Sequence, residues 1–350
     1  MGRGEPERGG YRVPAPDAAM QVQWPEAFGT RFTIFVDTEE EFDWGAPLRS
    51  DADGTRHMAA LPPVHARFAA AGVPLTYLID YPIATSPLAI DVLREVITDG
   101  RSAIGTQLHP WVNPPHQEAV NGFNSFTGNL PLELQRAKLV ALTEAVEHAF
   151  GRRPLVYRAG RYGIGPGTPE LLAELGYRID SSMRSAYDYS AESGPDFSAV
   201  PNHAFRLGEV VEIPFTTVFT GRMRRGGPGL HRKLGRLPHG IGIASRLGLL
   251  SRVALTPEDM PLHEAKEAIR TAVGEGLRLL NFAFHSPSVE PGHTPYVRTA
   301  ADLAAFLRWW DEVLALLDRL GVRAASVDEI VTAACGPARG SARAGLLGGL

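Results

Sequence analysis

Short apolar runs alternate with helix-patterned segments along this chain, and most of the runs stop on an ionisable residue. Residues 32–36 stop on Asp37, residues 73–79 on Asp80 and residues 102–108 on His109. Residues 154–157 stop on Arg158, residues 177–179 on Asp180 and residues 277–284 on His285. Continuous apolar, β-branched runs of this length read as strands buried on both faces. Between them, residues 131–150 carry Leu132, Leu139, Leu142 and Val146 at helical spacing. Further helices are expected at 58–71, 87–98, 168–176, 256–276 and 299–320, and further strands at 210–214 and 322–325. Such alternation calls for a mainly parallel sheet covered by helices. With about seven such units, the expected fold class is α/β, a distorted (β/α) barrel of about seven parallel strands.

Parallel strands deliver their C-terminal ends to one mouth. Asp37, His109, Arg158 with Arg161, Asp180 and His285 all sit at such ends. The first of them opens an acidic stretch: Asp37, Glu39, Glu40, Glu41 and Asp43, with Phe42 and Trp44 among them. Crowded carboxylates repel, and a cation, a shared proton or solvent must relieve them. Asp37 directly follows the buried run and is expected to face the site. Glu40 and Glu41 are expected to face solvent, and Asp43 is left open. Together these groups suit hydrolysis. A carboxylate takes a proton from water, an imidazole returns one to a leaving group, and a cation would polarise a carbonyl.

The bulk properties narrow the rest. The chain has 350 residues, 44% hydrophobic and 21% charged, with a net charge of −4, so nothing points to nucleic acid. Its one cysteine, Cys335, excludes an intrachain disulfide and thiolate zinc clusters, and a cytoplasmic location is expected. No apolar run is long enough to span a bilayer, so no transmembrane segment is expected. Residues 1–28 read as a disordered leader, 29–335 as a single barrel domain and 336–350 as a flexible tail. A basic insertion interrupts the domain at about 221–256. No acid lies between Glu212 and Glu258, while eight Arg or Lys fall between Arg222 and Arg252. A lid, a membrane-surface patch, an anionic-ligand patch and a plain solvated insertion all fit that composition.

The strings VDTEEEFDW, IGTQLHPW, YRAGRYG, RIDSS and FHSPS occur in this order. The series resembles the polysaccharide deacetylase family, carbohydrate esterase family four, and is most similar to its WalW-like branch, over about residues 30–335. The resemblance implies a deacetylase-like barrel in which Asp37 is the general base and His285 the general acid. It implies that Arg161 holds Asp37 ionised, and that Arg158, Tyr162, Trp111 and Asp180 line the substrate groove. The Tyr162 backbone N–H is the implied oxyanion donor, and Trp111 and Tyr162 are candidates for stacking on a sugar ring. Glu39 and His109 are the implied ligands of a divalent, zinc-like cation. Aligning on Ile104-Gly105 puts Gln107 and Trp111 where the family has two histidines, with His109 between them. Four outcomes follow: metal held with help from elsewhere, His116 being nearest; weak metal binding; metal-free catalysis; or an inactive site.

The implied activity is hydrolysis of a C–N amide (N-acetyl) bond on a carbohydrate or another N-acylated small substrate. The alternatives are a carbohydrate-binding pseudoenzyme, a metal-independent amidohydrolase on the same fold, and a glycosidase using Asp37 and Asp180. The last requires a carboxyl separation of about 5–9.5 Å and no arginine at the base. His57, His65 and His148 are expected at the surface, and Trp309 and Trp310 in helix packing. His293 and Tyr296 are expected either at the mouth or in a turn.

Overall fold

The central strand of the computed structural model is β1 (Arg31–Thr38), buried from Phe32 to Thr38; the structure describes residues 10–335. It is followed in chain order by β2 (Thr76–Ile79), β3 (Ala103–Leu108), β4 (Val156–Ala159), β5 (Ile179–Asp180), β6 (Phe205–Leu207) and β7 (Val210–Glu212). Then come β8 (Thr217–Thr220), β9 (Ser251–Ala254), β10 (Leu279–His285) and β11 (Arg323–Ala324). The main sheet has the order β10-β1-β2-β3-β4-β5-β7-β6, parallel throughout except for the β6–β7 hairpin. β10 takes one edge of β1 along its length, while β11 and β2 share the other edge, at its start and its end. Seven parallel strands along this path, curled into a partial barrel, are the fold class the sequence pattern implies.

The barrel closes without a ladder between β7 and β10. Asn281 Nδ2 donates to the Ile213 carbonyl at 3.0 Å, and the Ala283 N–H donates to the Leu255 carbonyl at 3.2 Å. The two-residue period of the strands sorts the side chains. Phe35, Leu78, Val156, Ile179, Val211 and Leu279 share one apolar cluster inside the barrel. Ile34, Val36, Tyr77, Ile79 and Tyr157 belong to a second cluster, against the helices. The same parity turns Asp37, Gln107, Arg158, Ser181, Asn281 and His285 inward. It turns Asp180 outward, toward the side of Tyr157, with which it is in register.

The helices pack outside: α1 (Leu61–Ala70), α2 (Tyr81–Thr85), α3 (Pro87–Val96), α4 (Leu132–Phe150) and α5 (Thr168–Glu174), then α6 (Gly227–Gly235), α7 (Gly240–Arg246), α8 (Leu262–Gly274), α9 (Ala300–Arg319) and α10 (Val327–Cys335). Thr299 and Asp302 form a capping box at the start of α9, and the Trp309–Trp310 pair on that helix is core packing, as expected. α6 and α7 sit between β8 and β9, which pair antiparallel as a separate ribbon. This ribbon and its helices are the basic insertion.

Two expectations change. Residues 10–28 of the expected disordered leader lie on the barrel: Val13, Val22 and Phe28 are buried, and the Val22 N–H donates to Ala204 O at 2.9 Å. Their apolar side chains are spaced too widely to read as an element, yet each finds a groove. Residues 1–9 and the tail 336–350 lie outside the described residues. The helix expected from 256 begins at Leu262, because residues 256–259 turn into the barrel mouth instead.

Candidate active site

Asp37 ends β1 with its side chain inside the barrel, where a lone carboxylate would be costly to bury. Arg158 offsets that cost. Its Nη1 donates to Asp37 Oδ1 at 2.7 Å. The rest of the guanidinium is fixed by Nε donating to Ser181 O at 2.9 Å and Nη2 donating to Ser181 Oγ at 3.0 Å. Ser181 Oγ in turn donates to Ile213 O and accepts from Asn281 Nδ2, both at 2.9 Å. A buried polar chain thus runs across the barrel and leaves Asp37 Oδ2 free to face the mouth.

His285 ends β10, in register with Asp37, and its Nε2 stands 3.9 Å from Asp37 Oδ2. Its other nitrogen, Nδ1, is 2.6 Å from Glu258 Oε2. Glu258 also accepts the His285 backbone N–H at 3.0 Å and the Ser288 hydroxyl at 2.6 Å. Burial alone would lower the pKa of His285. The charges of Glu258, Glu39 and Asp37 outweigh it and raise the value to about 10. Those charges favour the protonated imidazole, and 23% of its side chain is exposed at the cavity.

On the opposite wall His109 is buried between carboxylates. Its Nδ1 is 2.8 Å from Glu40 Oε2, and Trp111 stacks on the ring at 4.3 Å while its Nε1 donates to Glu40 Oε1 at 2.7 Å. With the hydrogen on Nδ1, Nε2 presents a lone pair 3.5 Å from Glu39 Oε2. Gly160 is what lets the ring lie there, since a Cβ at that position would meet His109 Cδ2 at 2.3 Å.

Among the described residues one buried group has cation-ligand spacing: ligand atoms of Glu40, Asp80 and His109 all lie within 4.8 Å of one another. Hydrogen bonds already satisfy that group. Both Glu40 oxygens are taken, Asp80 Oδ1 caps α2 at the Ile83 N–H, and Asp80 Oδ2 accepts the Glu40 N–H at 2.7 Å. The cavity side differs, for Glu39 Oε1 and Gln107 Oε1 are buried with no partner. Burial, more than the neighbouring acids, raises the pKa of Glu39 to about 8. A His109 nitrogen 3.5 Å from Glu39, with orphaned Glu39 and Gln107 oxygens lining the same cavity, is an arrangement that suits a divalent cation. His109 is held from behind by a carboxylate, as metal-binding histidines usually are.

These groups line a cavity of about 610 Å³, walled by Phe42, Trp44, Trp111, Phe126, Tyr162 and Tyr296, with Arg161 and Arg184 at its side. Of the sequence-derived candidates, Asp37, Glu39, His109, Trp111, Arg158, Arg161, Tyr162 and His285 all reach it. Asp180 does not. It is buried behind the sheet beside Glu212, with Oδ1 accepting the Ser182 N–H at 3.0 Å. Arg161 reaches the cavity but not Asp37. It donates to Glu192 and Ser125, each at 2.6 Å, so Arg158 is the residue that holds Asp37. Arg161 and Tyr162 both have positive φ, 52° and 59°, at about 1–2 kcal/mol each, and this turn aims them into the cavity.

Other expectations also shift. Glu40 is fully buried rather than solvated. His57 is buried too, with Nδ1 near Glu41 and Nε2 2.8 Å from Ser286 Oγ, and His65 is buried against Tyr77. Asp43 is exposed in a turn and His116 is exposed away from the site. Trp111 has one face covered by His109 and Trp44 one face covered by Phe42, stacked at 5.0 Å; Trp44 also meets His285 edge-on at 5.1 Å and has an unpartnered Nε1. The two-carboxylate glycosidase arrangement is not present, since an arginine sits on Asp37 and Asp180 faces away.

No protein-family model and no curated protein matches the sequence. Solved structures do match. The Puue allantoinase aligns with a TM-score of 0.48 at 15% identity, over 87% of this chain and 92% of that one. The chitin deacetylase of the fungal pathogen Colletotrichum lindemuthianum aligns with a TM-score of 0.40 at 14% identity, over 91% and 92%. A presumptive polysaccharide deacetylase from Mycobacterium smegmatis aligns with a TM-score of 0.52 at 20% identity, over 92% of this chain and 95% of that one. The barrel described above is therefore the fold of that protein across nearly the whole of both chains.

Proposed function

We propose that this chain is an amide hydrolase of the polysaccharide deacetylase type, on the WalW-like branch. It would remove an N-acyl group, acetyl first among them, from a carbohydrate-like substrate. The observation that carries this reading is the pairing of Asp37 with His285. The two face each other at 3.9 Å on the cavity floor, one held by Arg158 and the other by Glu258.

In this reading Asp37 takes a proton from water, and the water oxygen attacks the amide carbonyl carbon. The Tyr162 backbone N–H receives the developing oxyanion. His285 then gives its proton to the amide nitrogen, the C–N bond breaks, and a carboxylic acid and an amine leave. Trp44 and Tyr296 are the walls against which a sugar ring would pack. A divalent cation on Glu39, His109 and Gln107 would supply polarisation of the carbonyl. Zinc seldom takes an amide oxygen as ligand, so Gln107 favours a second reading, slower turnover without metal.

Acetate release from N-acetylated saccharides tests the proposal. Asp37→Asn should lower kcat by a factor of ~100 or more. Unchanged turnover in that variant would remove Asp37 from the chemistry.

A further inference from the structure

We propose that residues 221–250 form a docking face for an anionic lipid bilayer. The observations concern the basic insertion and are independent of the active site. Leu237, Ile243 and Leu247 are 58%, 54% and 64% exposed, and Met223 and Ile241 lie open beside them. Solitary surface aliphatics are ordinary, but five exposed ones within residues 223–247 are a concentration of apolar side chains that water does not favour. Arg222, Arg224, Arg225, Arg232, Lys233, Arg236 and Arg246 are interspersed with them along the insertion, all exposed. Among the described residues only Arg224 has a carboxylate partner, Glu275 at 3.7 Å. No acid occurs in the sequence from 213 to 257.

Charge and apolarity together choose the occupant. A nucleic acid would engage the arginines and leave the aliphatic side chains in water. A second copy of the face would bring like charges together. A bilayer with anionic headgroups satisfies both features, taking the aliphatics at the acyl boundary and the cations at the phosphates. α6 and α7 have nine and seven residues, which suits lying in the interface plane and not crossing it. The insertion is tied to α8 by the Gly221 N–H donating to Glu267 at 2.9 Å, and by Arg224 on Glu275 just past the end of that helix. That end adjoins the start of β10, opposite the mouth, so a docked protein keeps its cavity open to solvent.

Sedimentation of the full chain with vesicles tests the proposal. Vesicles with about a third phosphatidylserine in phosphatidylcholine should bind at least ~10-fold better than phosphatidylcholine alone, and less well as salt rises. The triple variant Leu237→Ser, Ile243→Ser, Leu247→Ser should lose ~10-fold in binding at unchanged charge. The triple variant Arg232→Gln, Lys233→Gln, Arg236→Gln should lose a similar factor and serves as a second test if the first misfolds. Both should keep the parent melting temperature and acetate release. Equal binding to neutral vesicles, no binding, full binding by the serine variant, or displacement from vesicles by duplex DNA would each overturn the proposal.

Discussion

Glu258 above all, with Glu39 and Asp37, raises the proton affinity of His285, and a protonated imidazole is what a general acid needs. Such an acid acts only while protonated, so kcat/KM should fall as pH rises through a value near 10 in the parent enzyme. Glu258→Gln removes the largest of the raising influences. The alkaline limb should then move down, toward the ordinary histidine value near 6.5. A limb that stays in place would show that Glu258 does not set the proton affinity of His285. Stability follows the same sign. A raised imidazole pKa contributes stability that is complete below about 6.5 and is lost as pH rises through about 10. Zinc binding, read by calorimetry, separates the two carboxylates beside His109. Glu39→Gln should abolish it, while Glu40→Gln should weaken it by ~10–100-fold through loss of ring orientation. If Glu39→Gln binds zinc as well as the parent does, the cation belongs to the buried Glu40–Asp80–His109 group. Asp37 and His285 were legible in the sequence because each ends a long apolar strand. Glu258 was not. It follows β9, a strand that the sequence pattern did not mark, and its Thr-Pro-Glu-Asp setting has the composition of a helix start. Glu40 was obscured by the acids on either side of it, which share its type: Glu39 is buried with it, whereas Glu41 is partly exposed.

At the scale of the element, the alternation of a strand decides more than the residue at its end. β5 is two residues long, so the sequence offered no pattern from which to read its phase. Its neighbours supply the phase: Ser181 faces inward and serves Arg158, while Asp180 faces outward beside Glu212. Burial raises the pKa of Asp180 to about 6 and that of Glu212 well above its usual range. Asp180→Asn should therefore leave kcat/KM within about threefold of the parent, the expectation for a residue outside the cavity. Its effect should appear instead in the denaturation midpoint. A large loss of kcat with an unchanged midpoint would return Asp180 to the active site. The same reasoning explains why Arg158, and not Arg161, holds Asp37. Arg158 is on β4 with inward parity, and Arg161 lies past the strand in a left-handed turn.

On the scale of the whole molecule, the seven parallel strands of the barrel were readable from the alternation of apolar runs and helices, but β6, β8 and β9 with their antiparallel pairings were not. The closure of the barrel was not, because it depends on one amide side chain and on loop hydrogen bonds that leave no periodic trace. Nor was the packing of residues 10–28, where Val13, Val22 and Phe28 fill grooves far apart along the chain. Removing residues 1–28 should cost a few kcal/mol through the loss of those three buried side chains, at about 1.5–3 kcal/mol each as an upper bound. Urea denaturation of the shortened chain checks this, and an unchanged midpoint would show that the segment contributes nothing to stability.

Asp37 and His285 are register partners on adjacent strands. Their separation is thus set by the spacing of a β-ladder, about 4.8 Å between neighbouring strands, and not by any loop. Trp44, Tyr296 and Arg184, by contrast, stand on connections whose length and sequence the ladder does not restrain. What the cavity accepts and how it moves protons are therefore separable properties of this chain. Loops exchanged around the mouth would change the guest while the proton route kept its geometry.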